Sequence, residues 1–388
     1  MARILFTVLP LTGHLNPALS LAGELAAEGH EVAFAVHREA LGSRMPPGIR
    51  VYPLDAEHRP PALGEQARGL ESVRLFFEDY MLPLTRQALA PLEAAARDFR
   101  PDVMAVDHQM LAGALVARKL GLPWVSLVTT SASIIRLSPV LDAWVAEQYL
   151  ALQQDCLPPD LVVERPDFSP HAVIVFSIEA LMGTARDRIE APYVFVGPAS
   201  RPVRPAVAFP WPWLRDDRRL VLVTMGTVSR DRDHRFFEVM MEAFAQLPEV
   251  QAVLVAPPSL ARKAPDNVLV RDYVPQLDLL NRAAGVICHA GHNTVCEALL
   301  RERPLVVAPI RDDQPVIARQ VIEAGAGVFM RYGKVTPAAA LAAITRLLDD
   351  AELAANARRL SRALLAAPGI RGAAGIVSGL AGRGAPCR

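Results

Sequence analysis

Short apolar runs of four to six residues recur along the chain, each followed by a turn and then a stretch whose apolar positions fall three and four apart. Uninterrupted apolar runs predict strands buried on both faces, and the three-and-four spacing predicts helices that cover them. In the first 200 residues the predicted strands are Ile4–Leu9, Glu31–Val36, Val103–Val106, Trp124–Val128, Val173–Phe176 and Val194–Val196. After the first run, Asn16 stands where it can cap a helix with Pro17 at its first position, Ala18, Leu21, Ala22 and Leu25 as its buried stripe and Gly29 past its end. Residues 10–15 are then a loop at the carboxyl edge of a strand. Open α/β sheets bind their ligands at such edges.

The pattern breaks at Gly197–Pro212, where Pro198, Pro202, Pro205, Pro210 and Pro212 exclude a helix or a central strand. It then restarts with strands Leu220–Thr224, Ala252–Val255, Val268–Val270, Val286–Cys288 and Leu305–Ala308 and helices over His234–Gln246, His292–Leu300 and Gln314–Ala324. The expected organisation is an N-terminal α/β domain over 1–200, a Pro-rich linker over 201–216, and a second doubly wound α/β domain over 217–370. Residues 371–388 form a tail read either as packing back on the first domain or as disordered. Two such domains make an interface cleft the expected place for a small molecule.

Composition narrows the function. A length of 388 residues suits two domains, each able to bury its own core. With 41 basic and 41 acidic side chains there is no excess charge to hold nucleic acid. Four cysteines without a CxxC pair make no disulfide framework, and the apolar start is interrupted by Pro10 and Gly13 before it reaches the length of a signal or membrane segment. These features predict a soluble, cytoplasmic protein without an integral membrane span.

Two groups of residues carry chemistry. His289-Ala-Gly-His-Asn-Thr294 follows an apolar strand and opens a helix, so Gly291 permits close approach while backbone N–H groups and the helix dipole face an anion, a diphosphate above all. His289 can donate to a phosphate oxygen and Glu297, further along the helix, can accept from ribose hydroxyls. The ordinary alternative is a helix start with Asn293 or Thr294 as its cap. The spacing of Cys288, His289, His292 and Cys296 matches no zinc pattern, so no metal is expected. The second group is His14, in the first loop, and Asp107, which ends a strand of the same sheet; a histidine oriented by a carboxylate suits proton removal near neutral pH. Asp107 as a helix cap, or His108 as the partner, are the alternatives.

The run from Tyr273-Val-Pro-Gln276 through Cys288–Leu299 to Pro304–Pro309 and Asp313-Gln314 resembles the donor-binding signature of the UDP-glycosyltransferase-like family, glycosyltransferase family 1, in particular its bacterial macrolide branch. The resemblance implies a GT-B fold, two Rossmann-like domains facing across a cleft. It implies that His289, Gly291, Asn293 and Thr294 hold the diphosphate, that Glu297 binds the ribose, and that Val274 and Gln276 border the base. Gly226 and Thr227 would form the other wall of the phosphate site, and Asp313 with Gln314 would bind sugar hydroxyls. Gly13 joins the donor side, His14 matches the general base and Asp107 the aspartate that holds it. Two positions depart from the pattern: Glu302-Arg303 stands where many members have Gly-Val, forcing a side chain into a helix-ending left-handed turn, and Ile317 stands where many have Asn.

The expected activity is therefore inverting transfer from a UDP- or dTDP-sugar to a hydroxyl of a hydrophobic natural product, without metal or resident cofactor. Phe76, Phe77, Tyr80, Met81 and Trp144 are the candidate acceptor contacts, and a homodimer is the candidate assembly. Transfer to carbon or nitrogen, and a noncatalytic auxiliary partner of the same fold, are the alternative readings. A nicotinamide enzyme is disfavoured, because neither first βα turn carries GxGxxG.

Overall fold

The computed structural model describes residues 1–37, 45, 48–54, 70–135, 138–184, 192–199, 207–226 and 234–383. The chain divides into two compact units, one of Met1–Ile178, Asp187–Val203 and Ala367–Arg388, the other of Glu179–Arg186 and Arg204–Ala366. Part of the expected linker, residues 201–206, lies outside the described residues, as do 384–388 of the tail.

The first unit is built on a parallel seven-stranded sheet: β1 (Arg3–Thr7), β2 (Glu31–Val36), β3 (Arg50–Pro53), β4 (Val103–Asp107), β5 (Trp124–Val128), β6 (Val173–Val175) and β7 (Tyr193–Phe195), in the order β3-β2-β1-β4-β5-β6-β7. Its helices include α1 (Thr12–Ala27), α2 (Leu82–Phe99), α3 (Leu111–Leu120) and α4 (Pro139–Cys156). The apolar runs behave as their pattern demands. On β1, Ile4 and Phe6 pack with α1 on one face while Leu5 packs with α2 and α3 on the other. β3 has little apolar character, and no sequence signal marked it.

The first helix differs from its expected form. It starts at Thr12, after Leu11, whose carbonyl accepts the N–H groups of His14 and Leu15. Asn16 is therefore not its cap, and Pro17 lies inside it. A proline in the second turn costs one hydrogen bond, to the carbonyl four residues earlier. Burial of Leu15, Pro17, Ala18 and Leu19 on the sheet favours the longer helix. The end at Gly29 is as read, with φ 86.

The second unit carries a parallel six-stranded sheet: β8 (Arg219–Thr224), β9 (Val250–Val255), β10 (Val268–Arg271), β11 (Ala283–Cys288), β12 (Leu305–Val307) and β13 (Gly327–Phe329), in the order β10-β9-β8-β11-β12-β13. Around it lie α5 (His234–Ala245), α6 (Gln276–Arg282), α7 (His292–Leu300), α8 (Gln314–Glu323), α9 (Pro337–Asp349) and α10 (Ala351–Ala366). Val221 and Val223 pack with Phe236, Phe237, Met240 and Phe244 of α5.

The last helix, α11 (Gly369–Arg383), belongs to the first unit. It packs on α1, with Ala373, Ala374 and Val377 in that core, Arg371 paired with Glu24 and Ser378 bonded to His30. One stretch among the described residues, Ala351–Gly382, is long and apolar enough to cross a membrane by length and composition. It is broken between α10 and α11, which belong to different units. The described cysteines, Cys156, Cys288 and Cys296, are free thiols.

Candidate active and donor-binding sites

In the first sheet the chain runs outward from β1 to β3, then returns to β4 beside β1 and proceeds the other way. Such a reversal opens a crevice at the carboxyl ends of the two central strands. Thr7 pairs with Val106, so the segments leaving β1 and β4 begin side by side. The first turn of α1 presents His14 and the end of β4 presents Asp107, and His14 Nδ1 lies 2.7 Å from Asp107 Oδ2. Gly13 precedes His14 in the same turn, half-buried.

Asp107 is 1% exposed, and a buried carboxylate needs compensation. Burial pushes its pKa up, but the His14 charge and hydrogen bond, the His108 charge and the Gln109 N–H outweigh it and hold the carboxyl below its ordinary value. The Gln109 N–H donates to Oδ1 at 2.9 Å, leaving Oδ2 for His14. A carboxylate only accepts, so the proton of a neutral His14 sits on Nδ1 and Nε2 is the basic nitrogen. Thr129 Oγ1, just beyond β5, lies 3.1 Å from Nδ1 and adds a second constraint on the ring.

His108 has a different role. Its Nδ1 donates to the Leu127 carbonyl at 3.2 Å, its Nε2 accepts from Ser133 Oγ at 2.8 Å, and its ring stacks on His14 with centroids 6.1 Å apart. Burial lowers its pKa and the His14 charge adds to the effect, against the opposing pull of the Asp107 carboxylate, so His108 is harder to protonate than a free imidazole and forms a wall of the site. Thr129, Gln109 and Ser133 were not singled out from the sequence. Extending the strand-edge rule from β4 to its neighbour β5 would have found Thr129.

The candidate acceptor residues divide. Leu70–Leu75 leads into a π-helical turn, Phe76–Met81, and then into α2. Phe77, Tyr80 and Met81 are 9%, 1% and 1% exposed and fill the core of the unit; Phe77 meets Trp144 edge-on and Tyr149 at 5.9 Å. These three side chains are packing residues, as expected of large apolar groups with this much buried area. Phe76 and Trp144 are half-buried.

The second sheet repeats the topological reversal between β8 and β11. Thr224 pairs with Cys288, so Gly226 and His289 leave adjacent strand ends. The His289 ring is packed against two glycines: a Cβ on Gly226 would come within 2.7 Å of it and a Cβ on Gly291 within 2.5 Å. Gly226 also needs its freedom for φ 75. Gly291 does not, because the left-handed residue of the turn is Ala290, φ 65, a strain of about 1 kcal/mol for a non-glycine. Thr227 lies outside the described residues.

Gly291 is the N-cap of α7, which places Asn293 and Thr294 inside the first turn rather than at the cap. The first-turn N–H groups have no acceptor within a helix and, with the dipole, favour an anion. Burial lowers the pKa of His289; the Arg311 charge lowers it further, while Asp313 and the Thr224 carbonyl oppose the shift. One and a half turns along, Glu297 is 7% exposed and its Oε2 accepts from Gln276 Nε2 at 2.6 Å. Gln276 thus holds the carboxylate in place, and Val274, buried, packs just before it. Asp313 is the N-cap residue of α8 without a side-chain capping bond. Gln314 turns back, its Oε1 accepting the N–H groups of Ile310 and Arg311, so only its Nε2 can serve a ligand. Glu302 takes φ 62, the strain that the loss of glycine there implies.

Comparison with known proteins agrees with this architecture. The family described as erythromycin biosynthesis protein CIII-like, C-terminal domain, matches residues 240–379, and the glycosyl transferase 4-like domain matches residues 12–159. Demethyllactenocin mycarosyltransferase of Streptomyces fradiae is 30% identical, over 98% of this chain and 87% of its own. Oleandomycin glycosyltransferase of Streptomyces antibioticus is likewise 30% identical, over 94% of this chain and 87% of its own. The solved structure of the glycotransferase of kitacinnamycin superposes with a TM-score of 0.79 at 25% identity, covering 99% of each chain. Two parallel-sheet domains with these relatives define a GT-B glycosyltransferase. The chain belongs to the natural-product glycosyltransferases of family 1, the class that serves antibiotic biosynthesis.

Proposed function

We propose that the protein is an inverting O-glycosyltransferase that moves a sugar from a UDP- or dTDP-linked donor to a hydroxyl of a hydrophobic natural product, with His14 as general base. The observation that carries this reading is the His14–Asp107 pair, 2.7 Å apart at the reversal of the first sheet. Nε2 takes the acceptor hydroxyl proton as the acceptor oxygen bonds to the anomeric carbon. The bond from that carbon to the diphosphate oxygen breaks on the opposite face, and its electron pair leaves with the diphosphate. Asp107 stabilises the imidazolium formed on His14. The turn of Gly226 and His289 and the start of α7 stabilise the departing diphosphate through N–H donors and the helix dipole, without a metal ion. Glu297, held by Gln276, accepts from the ribose, and Asp313 and Gln314 Nε2 serve the sugar. The two relatives at 30% identity, a demethyllactenocin mycarosyltransferase and an oleandomycin glycosyltransferase, support a natural-product acceptor.

The test is a mass-spectrometric screen of UDP- and dTDP-sugars against macrolide and aromatic acceptors, with EDTA present, followed by H14A. Product with inverted anomeric configuration is expected. H14A should lose at least about a thousandfold in kcat while keeping nucleotide affinity. Undiminished turnover in H14A rejects the base, and loss of turnover in EDTA rejects metal independence.

A further inference from the structure

Arg311 has no part in the roles assigned above, yet it is 7% exposed in the loop between β12 and α8. A guanidinium is expensive to bury, and this one is set in place by deliberate local construction. Gln314 Oε1 accepts the backbone N–H of Arg311 and that of Ile310. The next residue, Asp312, takes φ 57, a left-handed conformation costing about 1 kcal/mol in a non-glycine. Its carboxylate lies 3.4 Å from Arg311 Nε and is 41% exposed, so this ion pair is a solvated one and contributes little.

The place of this charge is specific. The Ala308 N–H donates to the Cys288 carbonyl, which keeps the ends of β11 and β12 side by side as they enter the two loops. One loop carries His289 and the start of α7; the other carries Arg311 three residues on. The Arg311 charge acts on the His289 ring, lowering its pKa against a larger opposing effect of the Asp313 carboxylate. A buried cation, an imidazole and the positive end of a helix dipole therefore share one sheet edge. All three favour the same kind of ligand.

We infer that Arg311 is a specificity-determining residue of the donor site, a fixed positive charge that selects a nucleoside diphosphate over the corresponding monophosphate or nucleoside. This rests on the reading of the Cys288–Leu299 segment as the diphosphate cradle. The guanidinium supplies what a bound cation supplies elsewhere: compensation of the second phosphate, in a place from which water is largely excluded.

The experiment is calorimetric titration of the full-length protein with UDP, dTDP, UMP, dTMP, uridine and thymidine. R311M is the main variant, because an apolar side chain of similar length in place of a buried charge is often tolerated by the fold; R311K restores the charge. R311M should weaken the preferred diphosphate about 10- to 100-fold and its nucleoside less than about threefold, with R311K recovering at least part of the loss. Diphosphate affinity within about threefold of wild type in R311M, or equal loss for diphosphate and nucleoside, overturns the inference. If R311M does not fold, R311Q takes its place and is read by the same two criteria: selective loss of the diphosphate supports the role of charge, and an unchanged or uniform affinity overturns it. Wild-type protein that binds neither UDP nor dTDP overturns the donor-site reading itself, a result distinct from any difference among the variants.

Discussion

Replacing Asp107 by Asn changes one atom of the proposed catalytic pair and tests its physics directly. Asp107 presents Oδ1 to the Gln109 N–H at 2.9 Å and Oδ2 to His14 Nδ1 at 2.7 Å. An asparagine has one oxygen for these two donors. If the oxygen stays with Gln109, the amide N–H₂ faces His14 and forces the proton from Nδ1 to Nε2, where the ring can no longer take a proton from an acceptor. Turned the other way, the amide opposes the Gln109 N–H. In either case the imidazolium formed during transfer loses its counter-charge. At roughly 4 Å between charge centres and an effective dielectric of about 20, that attraction is about 4 kcal/mol. It corresponds to a loss of about three orders of magnitude in kcat. The assay is steady-state turnover of nucleotide sugar with a hydroxyl acceptor, with nucleotide affinity measured in parallel. D107N that folds normally, binds nucleotide and keeps kcat within about tenfold of wild type would refute the base assignment.

Two further outcomes follow from the packing and the charges. G291A places a Cβ 2.5 Å from the His289 ring at the N-cap of α7, so it should displace the imidazole and weaken UDP or dTDP at least about tenfold, with turnover falling in parallel; unchanged affinity by calorimetry would contradict the cradle. Stability should fall on acidification in two windows. His108 is buried and its pKa lies below 6.5, so the unfolded chain binds more protons as the pH falls below that value, and stability is lost by up to about 1.4 kcal/mol per pH unit. Asp107, its pKa held below 3.8, contributes stability that is present above that value and is lost as the pH falls through its folded pKa. Denaturant titrations between pH 8 and pH 3 check both, and a midpoint that stays constant from pH 7 to pH 5 would remove His108 from the argument.

The sequence by itself determined the two parallel sheets, because a strand buried on both faces must be apolar at every position. It also determined the helix start at His292, since glycine and apolar spacing act within a few residues of where they stand. Local chemistry could mark His14, Asp107, His289 and Glu297 as candidates. It could not bring His14 and Asp107, 93 positions apart in the chain, to 2.7 Å, which depends on β1 and β4 becoming neighbours. It placed the start of α1 at Pro17, whereas burial against the sheet carries the helix back to Thr12. Aromatic character at Phe77 and Tyr80 says nothing of which way a π-helical turn directs the side chains, and both point into the core. Gln276 and Glu297 looked like separate ligand contacts, yet the half-buried amide and the buried carboxylate are hydrogen-bonded to each other. Arg311 is the clearest case: nothing in an arginine beside two aspartates marks it for burial, and only the tertiary fold buries it, in the loop that follows β12 beside the end of β11. Periodicity decides which face is buried; long-range strand order decides which side chains meet.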